Sequence, residues 1–363
     1  MKKDRIDMKN RYSKILVLVS LIAVLSAGTA TAGNDDRRGT AGASELLINP
    51  WARSAGWGGV NTACAQGVEA SFTNVAGLAF LNKTEVIYAN TQWFSGYGAS
   101  INAFGFGQRI SDADVLGVAI MGVGFGDIPV TTVESPEQGQ NGTYSPSLFN
   151  VNVMYAHSFS SSIHGGVNIK VISESTDNVS AMGVAIDAGI QYVTGDDSEF
   201  KFGVSLKNIG PALSFSGDGL ARTLVDWGDV SKTVEERSQA FEMPTCLNIG
   251  LSYDFLFEAY DQRLTLAGNF TSNAFMKDNF IVGAEYSLLN MFQVRAGFVY
   301  QNDIFNETAR TSALTGPTAG ATFNIPLAKQ KGDKPVPTIG LDYSYRSAAP
   351  FKGSHSIGVT LNL

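Results

Sequence analysis

The sequence predicts an all-β membrane protein, a 14-stranded antiparallel outer-membrane β-barrel with an N-terminal plug segment. Three observations carry that expectation. From Glu85 onward, apolar residues recur at every second position in fourteen segments, the period of a strand with one greasy and one polar face. The connections are lopsided, long after several odd-numbered segments and tight after most even-numbered ones, as in barrels that carry loops at the extracellular end and turns at the periplasmic end. The alternation also runs to the last residue. In "HSIGVTLNL", Ile357, Val359, Leu361 and Leu363 are apolar, while Gly358, Thr360 and Asn362 are small or polar. Chain ends fray unless something holds them, and pairing with the strand near 85–93 would close the sheet and leave no edge.

The first element is a leader. Lys2, Lys3, Arg5, Lys9, Arg11 and Lys14 precede the apolar run Ile15–Leu25 and the small residues Ala30-Thr31-Ala32, the pattern of a secretory signal peptide, here cleaved after Ala32. The organisation expected is therefore 1–32 signal peptide, 33–84 N-terminal segment and plug, and 85–363 transmembrane barrel. After the leader no run of eighteen apolar residues recurs, so no membrane-spanning helix is expected. Charged residues make up 16% of the chain, against about 25% in ordinary globular domains. The net charge of −7 gives no footprint for nucleic acid. Cys64 and Cys246 are too few for a disulfide framework; a bond between them is geometrically conceivable, but two free thiols are the expectation.

Residues 44–80, "SELLINPWARSAGWGGVNTACAQGVEASFTNVAGLAF", do not alternate. They form either a periplasmic lead-in or a plug inside the barrel. The close backbone packing that Gly56, Gly58 and Gly59 permit favours the plug.

The strands follow at about 85–93, 99–107, 114–126, 147–159, 162–172, 182–194, 200–208, 245–256, 262–271, 279–288, 291–301, 318–326, 337–347 and 354–363. Most approach the 9–11 residues of a tilted membrane-crossing strand. In "NMFQVRAGFVY", Phe292, Val294, Ala296, Phe298 and Tyr300 share the lipid face, with Gln293, Arg295 and Gly297 opposite. Alternation alone is equally compatible with a secreted sandwich or propeller. The long connections 127–146, 209–244 and 302–317, against turns such as "GDDSE" and "LN", favour the barrel. Gly117, Gly122, Gly124 and Gly126 crowd the third strand and suit packing against the plug or a bend.

Charges within strands belong on the lumen face, because lipid penalises them. Lys170 and Asp187 fall on neighbouring strands, as do Glu285 and Arg295, and Asp342 shares a face with Arg346. Such pairs would hold the wall or anchor the plug. The connection 209–244 carries Phe215, Leu220, Trp227 and Phe241 among polar residues. It is either a partner-binding surface or a loop folded over its own barrel mouth. Three scattered histidines and glycine runs that open no helix offer no catalytic, metal or cofactor site.

"INPWARSAGWGGV" (48–60) and "FTNVAGLAF" (72–80) resemble the N-terminal signature of the PorV/PorQ family of Bacteroidota outer-membrane proteins, with Arg53, Ser54, Gly56, Gly58, Gly59, Asn74 and Gly77 at motif positions. "LKNIGPALSF" (206–215) and "MPTCLNIGLSYDF" (243–255) are similar to two further landmarks of that family, and "LLINPWARS" leans toward its PorV branch. Trp57 and Val75 depart from the pattern, where Met and Pro are usual. The resemblance implies a FadL-like barrel in the outer membrane and a component of type IX secretion. Such a component binds secreted cargo proteins and meets the translocon and the attachment complex. It also implies an alternative, a FadL-like transporter of hydrophobic small molecules with a side opening at a kinked third strand.

Overall fold

The computed structural model describes residues 37–137, 141–226, 230–257, 261–328 and 336–363. Seven strands come first: β1 (Thr84–Gln92), β2 (Ser100–Arg109), β3 (Asp114–Gly124), β4 (Ser147–Ser158), β5 (Ile163–Thr176), β6 (Val179–Thr194) and β7 (Phe200–Ile209). Seven more follow: β8 (Cys246–Phe257), β9 (Gln262–Asn273), β10 (Asn279–Leu288), β11 (Phe292–Gln301), β12 (Leu314–Pro326), β13 (Thr338–Ala348) and β14 (Ser354–Asn362). Together they close one antiparallel barrel in chain order. The seam is β1 against β14, in register from Glu85 opposite Asn362 to Gln92 opposite His355. Beyond it the Leu363 N–H donates to the Thr84 carbonyl at 2.9 Å.

Side-chain parity decides which residues face lipid. On β8 the outward set is Leu247, Ile249, Leu251, Tyr253 and Phe255, while Asn248, Ser252 and Asp254 are buried inside. On β10 and β11, odd residues pair with odd, so Glu285 stands opposite Arg295 inside and Val282 opposite Phe298 outside. At the turn end of the barrel one charge does point outward. Asp114, at the start of β3, accepts from the Tyr155 hydroxyl at 2.6 Å and lies 2.7 Å from His157 Nδ1.

The strands depart from the sequence expectation mainly at the long-loop end. β5 and β6 run on to a two-residue turn at Asp177 and Asn178, consuming the polar stretch 173–181 that reads as a loop. Two of the three long connections contain hairpins of their own, Ile128–Pro129 with Thr143–Tyr144 and Ala221–Asp226 with Val230–Glu235. β12 starts earlier, at Leu314, and slips register against β13 before Thr318, where Gly316 takes a φ of 108°.

A fourteen-stranded wall encloses more space than its own inward side chains fill, and residues 43–82 occupy it. They form short helical turns, Ser44–Leu47, Ala52–Ala55, Asn61–Ala63, Gly67–Phe72 and Val75–Phe80. Irregular backbone at membrane depth needs partners for its carbonyls, and wall side chains supply them. Arg109 donates to the Ala79 and Leu81 carbonyls at 2.6 and 2.8 Å. Gln191 reaches Thr62 and Ala65, both at 3.2 Å, and Ser205 reaches Thr73 at 2.9 Å. The apolar side of this plug, with Trp51, Val68, Phe72, Val75 and Leu78, packs on Ile87, Ile101, Val115, Met121 and Met154 of β1–β4.

Candidate lumen site

The plug residues singled out in the sequence divide between contacts with the wall and contacts within the plug itself. Gly56 passes so close to β12 that a Cβ there would lie 2.9 Å from Gly320 Cα. Gly58 and Gly59 take φ values of 76° and 77°, the left-handed region that glycine tolerates. A Cβ on Gly77 would lie 2.2 Å from the Ala65 carbonyl oxygen. Ser54 bonds Glu69, and Asn61 Nδ2 donates to Ser54 Oγ at 2.7 Å. Asn74 caps the Val75–Phe80 turn by accepting from the Ala76 N–H at 3.2 Å. Its amide nitrogen meanwhile donates to the Thr62 and Ile190 carbonyls at 2.9 and 3.0 Å.

The charge pairs form two networks. Arg295 Nε donates to Glu285 at 2.6 Å and Arg263 reaches the other carboxylate oxygen at 2.8 Å. From Arg295 a bond of 2.6 Å runs to Thr322, which bonds Asp342, and Asp342 accepts from Arg53 of the plug at 3.4 Å. The second network centres on Lys170, whose Nζ lies 2.7 Å from both Asp187 and Asn208. Asn208 sits where β6 and β7 slip register, with a φ of 61°, its N–H on Asp187 at 2.8 Å and its amide on the Pro244 carbonyl at 3.1 Å. The "KNIGP" stretch signals this knot in the sequence, but its partners come from three distant segments.

Between the plug and the wall of β7–β13, toward the long-loop end, lies a cavity of about 250 Å³. Leu47, Phe72, Ile281, Val299, Ile304 and Leu314 give it apolar surface, and Asn248, Asn273 and Gln301 add amides. Lys207 and Arg346 also line it. Lys207 does not stand out in the sequence, and Arg346, expected there beside Asp342, instead donates to the Asn49 carbonyl at 3.1 Å while Asp342 pairs with Arg53.

The long connection lies partly over this mouth. Leu213 and Met243 are buried with Ala43, Leu46, Ile172 and Ala185. Phe241 covers Gly42 and packs 5.5 Å from Phe215. Residues 41 and 42 bond alongside Glu242, and Arg37 pairs with its carboxylate at 2.5 Å. Leu220 is half-buried at the base of the hairpin, whose Leu224, Val225 and Val234 are exposed. Trp227 lies outside the described residues.

The third strand is paired on both edges without a register shift, from Ser100 opposite Gly124 to Arg109 opposite Val115 and from Asp114 opposite His157 to Gly124 opposite Ser147. The glycines Gly122 and Gly124 instead border an open hollow on the outer face, beside Tyr88, Phe104 and Phe149. Cys64 and Cys246 are free thiols; burial pushes the Cys64 thiol up to about 12. Among the described residues no group of three His, Cys, Asp or Glu side chains could hold a metal.

No protein-family model and no curated protein sequence matches the chain. Solved structures do. The Pseudomonas putida toluene transporter TodX is similar with a TM-score of 0.53 at 12% identity, over 86% of this chain and 97% of that one. A Pseudomonas aeruginosa FadL homologue is similar with a TM-score of 0.51 at 12% identity, over 86% and 98%. At such identity the likeness is one of fold. This chain has a FadL-like fourteen-stranded outer-membrane barrel, and that fold belongs in an outer membrane.

Proposed function

We propose that the protein is a conduit for small hydrophobic molecules, which it binds in the lumen cavity and passes inward beside the plug. The cavity carries this reading. It lies between the plug and the wall of β7–β13 toward the long-loop end, with apolar surface supplied by both plug and wall, as a small-molecule site requires. Two proteins of the same fold support it, one of them a toluene transporter. With β3 paired on both edges, the route is axial rather than through a side opening. The test fills the cavity. Purified protein should bind toluene saturably, and Val299→Trp should weaken that binding at least tenfold while the barrel keeps its heat-modifiable migration on gels. Unchanged binding by the filled variant, or no saturable binding by the parent, would sink the reading.

The exposed hairpin favours a second reading. Leu224, Val225 and Val234 stand in solvent at the long-loop end, where apolar side chains suit a protein partner. On this reading the chain is a PorV-like component of type IX secretion in a Bacteroidota outer membrane. Its leader leaves after Ala32, and the hairpin captures secreted cargo or the translocon and attachment complex. Replacing 217–240 with a short Gly-Ser link should then abolish co-purification of those partners from outer membranes. Undiminished capture would refute it.

A further inference from the structure

We propose that the outer-face hollow beside β3 holds one acyl chain of an outer-leaflet lipid, and that Asn102 donates to the carbonyl of that lipid's ester or amide linkage. The site lies on the outside of the wall and does not depend on the lumen cavity.

The register at the long-loop ends of β1–β4 places it. Pairing sets Gln92 beside Ser100, Gly124 and Ser147, an outward row of polar or small residues. Two residues deeper, the outward row is Asn90, Asn102, Gly122 and Phe149. Two deeper again it is Tyr88, Phe104, Ile120 and Val151, apolar apart from one hydroxyl. The outer face therefore turns from apolar to polar across these rows, as it does where the apolar band of an outer-membrane barrel ends. Lipids carry their acyl linkages at that boundary, between the chains and the headgroup.

The hollow sits at this change and occupies about 520 Å³. Gly122 and Gly124 open it by leaving the outer face of β3 bare, and Phe104, Ile120 and Phe149 wall it with apolar surface. At about 30 Å³ per water, that space holds about seventeen waters, room for the length of one acyl chain and not for a whole lipid.

Asn102, at the lining, supplies the polar contact. Its Oδ1 accepts from Asn90 Nδ2 at 2.8 Å and from the Tyr88 hydroxyl at 3.0 Å. Two donors on that oxygen fix the orientation of the amide, so Nδ2 keeps both its N–H groups. Among the described residues neither has an acceptor. An amide that faces lipid is costly unless it is hydrogen-bonded. A neighbouring barrel could offer apolar side chains, but its wall carbonyls are taken up by its own sheet. An acyl lipid brings the missing acceptor attached to the chain that the hollow takes. Ser100 and Ser147, also at the lining, add hydroxyls.

The experiment is native mass spectrometry of the purified full chain, released from detergent micelles that contain equal amounts of diester and diether phosphatidylcholine of matched chain length. The parent should retain one lipid, the diester about fivefold over the diether, which lacks the carbonyl; that is the scale of one net hydrogen bond. Asn102→Leu should keep a lipid and lose the preference. Gly122→Leu should retain none. The nearest atom to a Cβ there is Phe149 Cδ2 at 3.8 Å, so the added side chain enters the hollow without displacing the wall, and heat-modifiable migration on gels checks that the barrel has folded. Equal retention of the two lipids by the parent would overturn the carbonyl contact, and a lipid that survives Gly122→Leu would overturn the hollow as its seat. A parent that retains no lipid would overturn the proposal, and one that is instead a dimer separated by Gly122→Leu would give this face to a second copy of the chain.

Discussion

A single carboxyl sets the condition for seating the first turn of the plug. Glu45 is 1% exposed, neither of its oxygens meets a donor, and Glu174 of β5 faces it. Its chain neighbours Ala43 and Leu46 are buried with Ile172, Ala185, Leu213 and Met243, and Arg37, earlier on its segment, is paired with Glu242 of the long connection. Burial first, and the charge of Glu174 second, push the Glu45 carboxyl up from 4.5 to about 8. A released Glu45 ionises near 4.5, while the seated one keeps its proton until about pH 8. The seat is therefore at full strength below pH 4.5 and loses stability as pH rises through 8. Hydrogen-exchange protection of residues 43–47 should fall between pH 5 and pH 9 in the parent and stay level in Glu45→Gln. Equal pH dependence in the two proteins would show that Glu45 does not govern the seat.

At the scale of elements, the Ala52–Ala55 turn meets β12 through two glycines. Gly56 and Gly320 approach Cα to Cα with backbone on both sides, so neither neighbour can rotate away from an added side chain. Gly56→Val should displace the plug from the wall, lowering the unfolding temperature and raising conductance in planar bilayers above that of the parent. Gly268→Ala is the control, since a Cβ there meets nothing within 4 Å. Parent-like conductance and melting in Gly56→Val would mean that this contact does not hold the plug. The need for close approach was legible in the run of small residues around Gly56. Its partner was not, because Gly320 lies far along the chain and reads in isolation as an ordinary strand glycine.

Over the whole molecule, legibility follows the membrane. Within the lipid band every strand must alternate, so fourteen strands, their inward charges and the odd-with-odd register of β10 and β11 could be read from residues alone. Beyond that band nothing enforces alternation. The outer ends of β5 and β6 and both hairpins were consequently hidden in polar stretches. The cavity was hidden for another reason: it forms only between the seated plug and strands far apart in the chain, from Leu47 and Phe72 to Ile281, Val299 and Leu314. The same division of the molecule into two ends makes an orientation prediction. The connection 125–146 follows β3 and 195–199 follows β6, so the two lie at opposite ends of the barrel. Val133 is fully exposed in the first and Asp196 is exposed in the second. Outer-membrane barrels turn long loops to the cell exterior. A membrane-impermeant maleimide added to intact cells should thus label Val133→Cys and spare Asp196→Cys, whereas both should react after the cells are opened. The parent, with Cys246 buried and the Cys64 thiol held protonated, should give a low background. Labelling of Asp196→Cys on intact cells, with Val133→Cys spared, would invert the barrel and put the cavity at the periplasmic face.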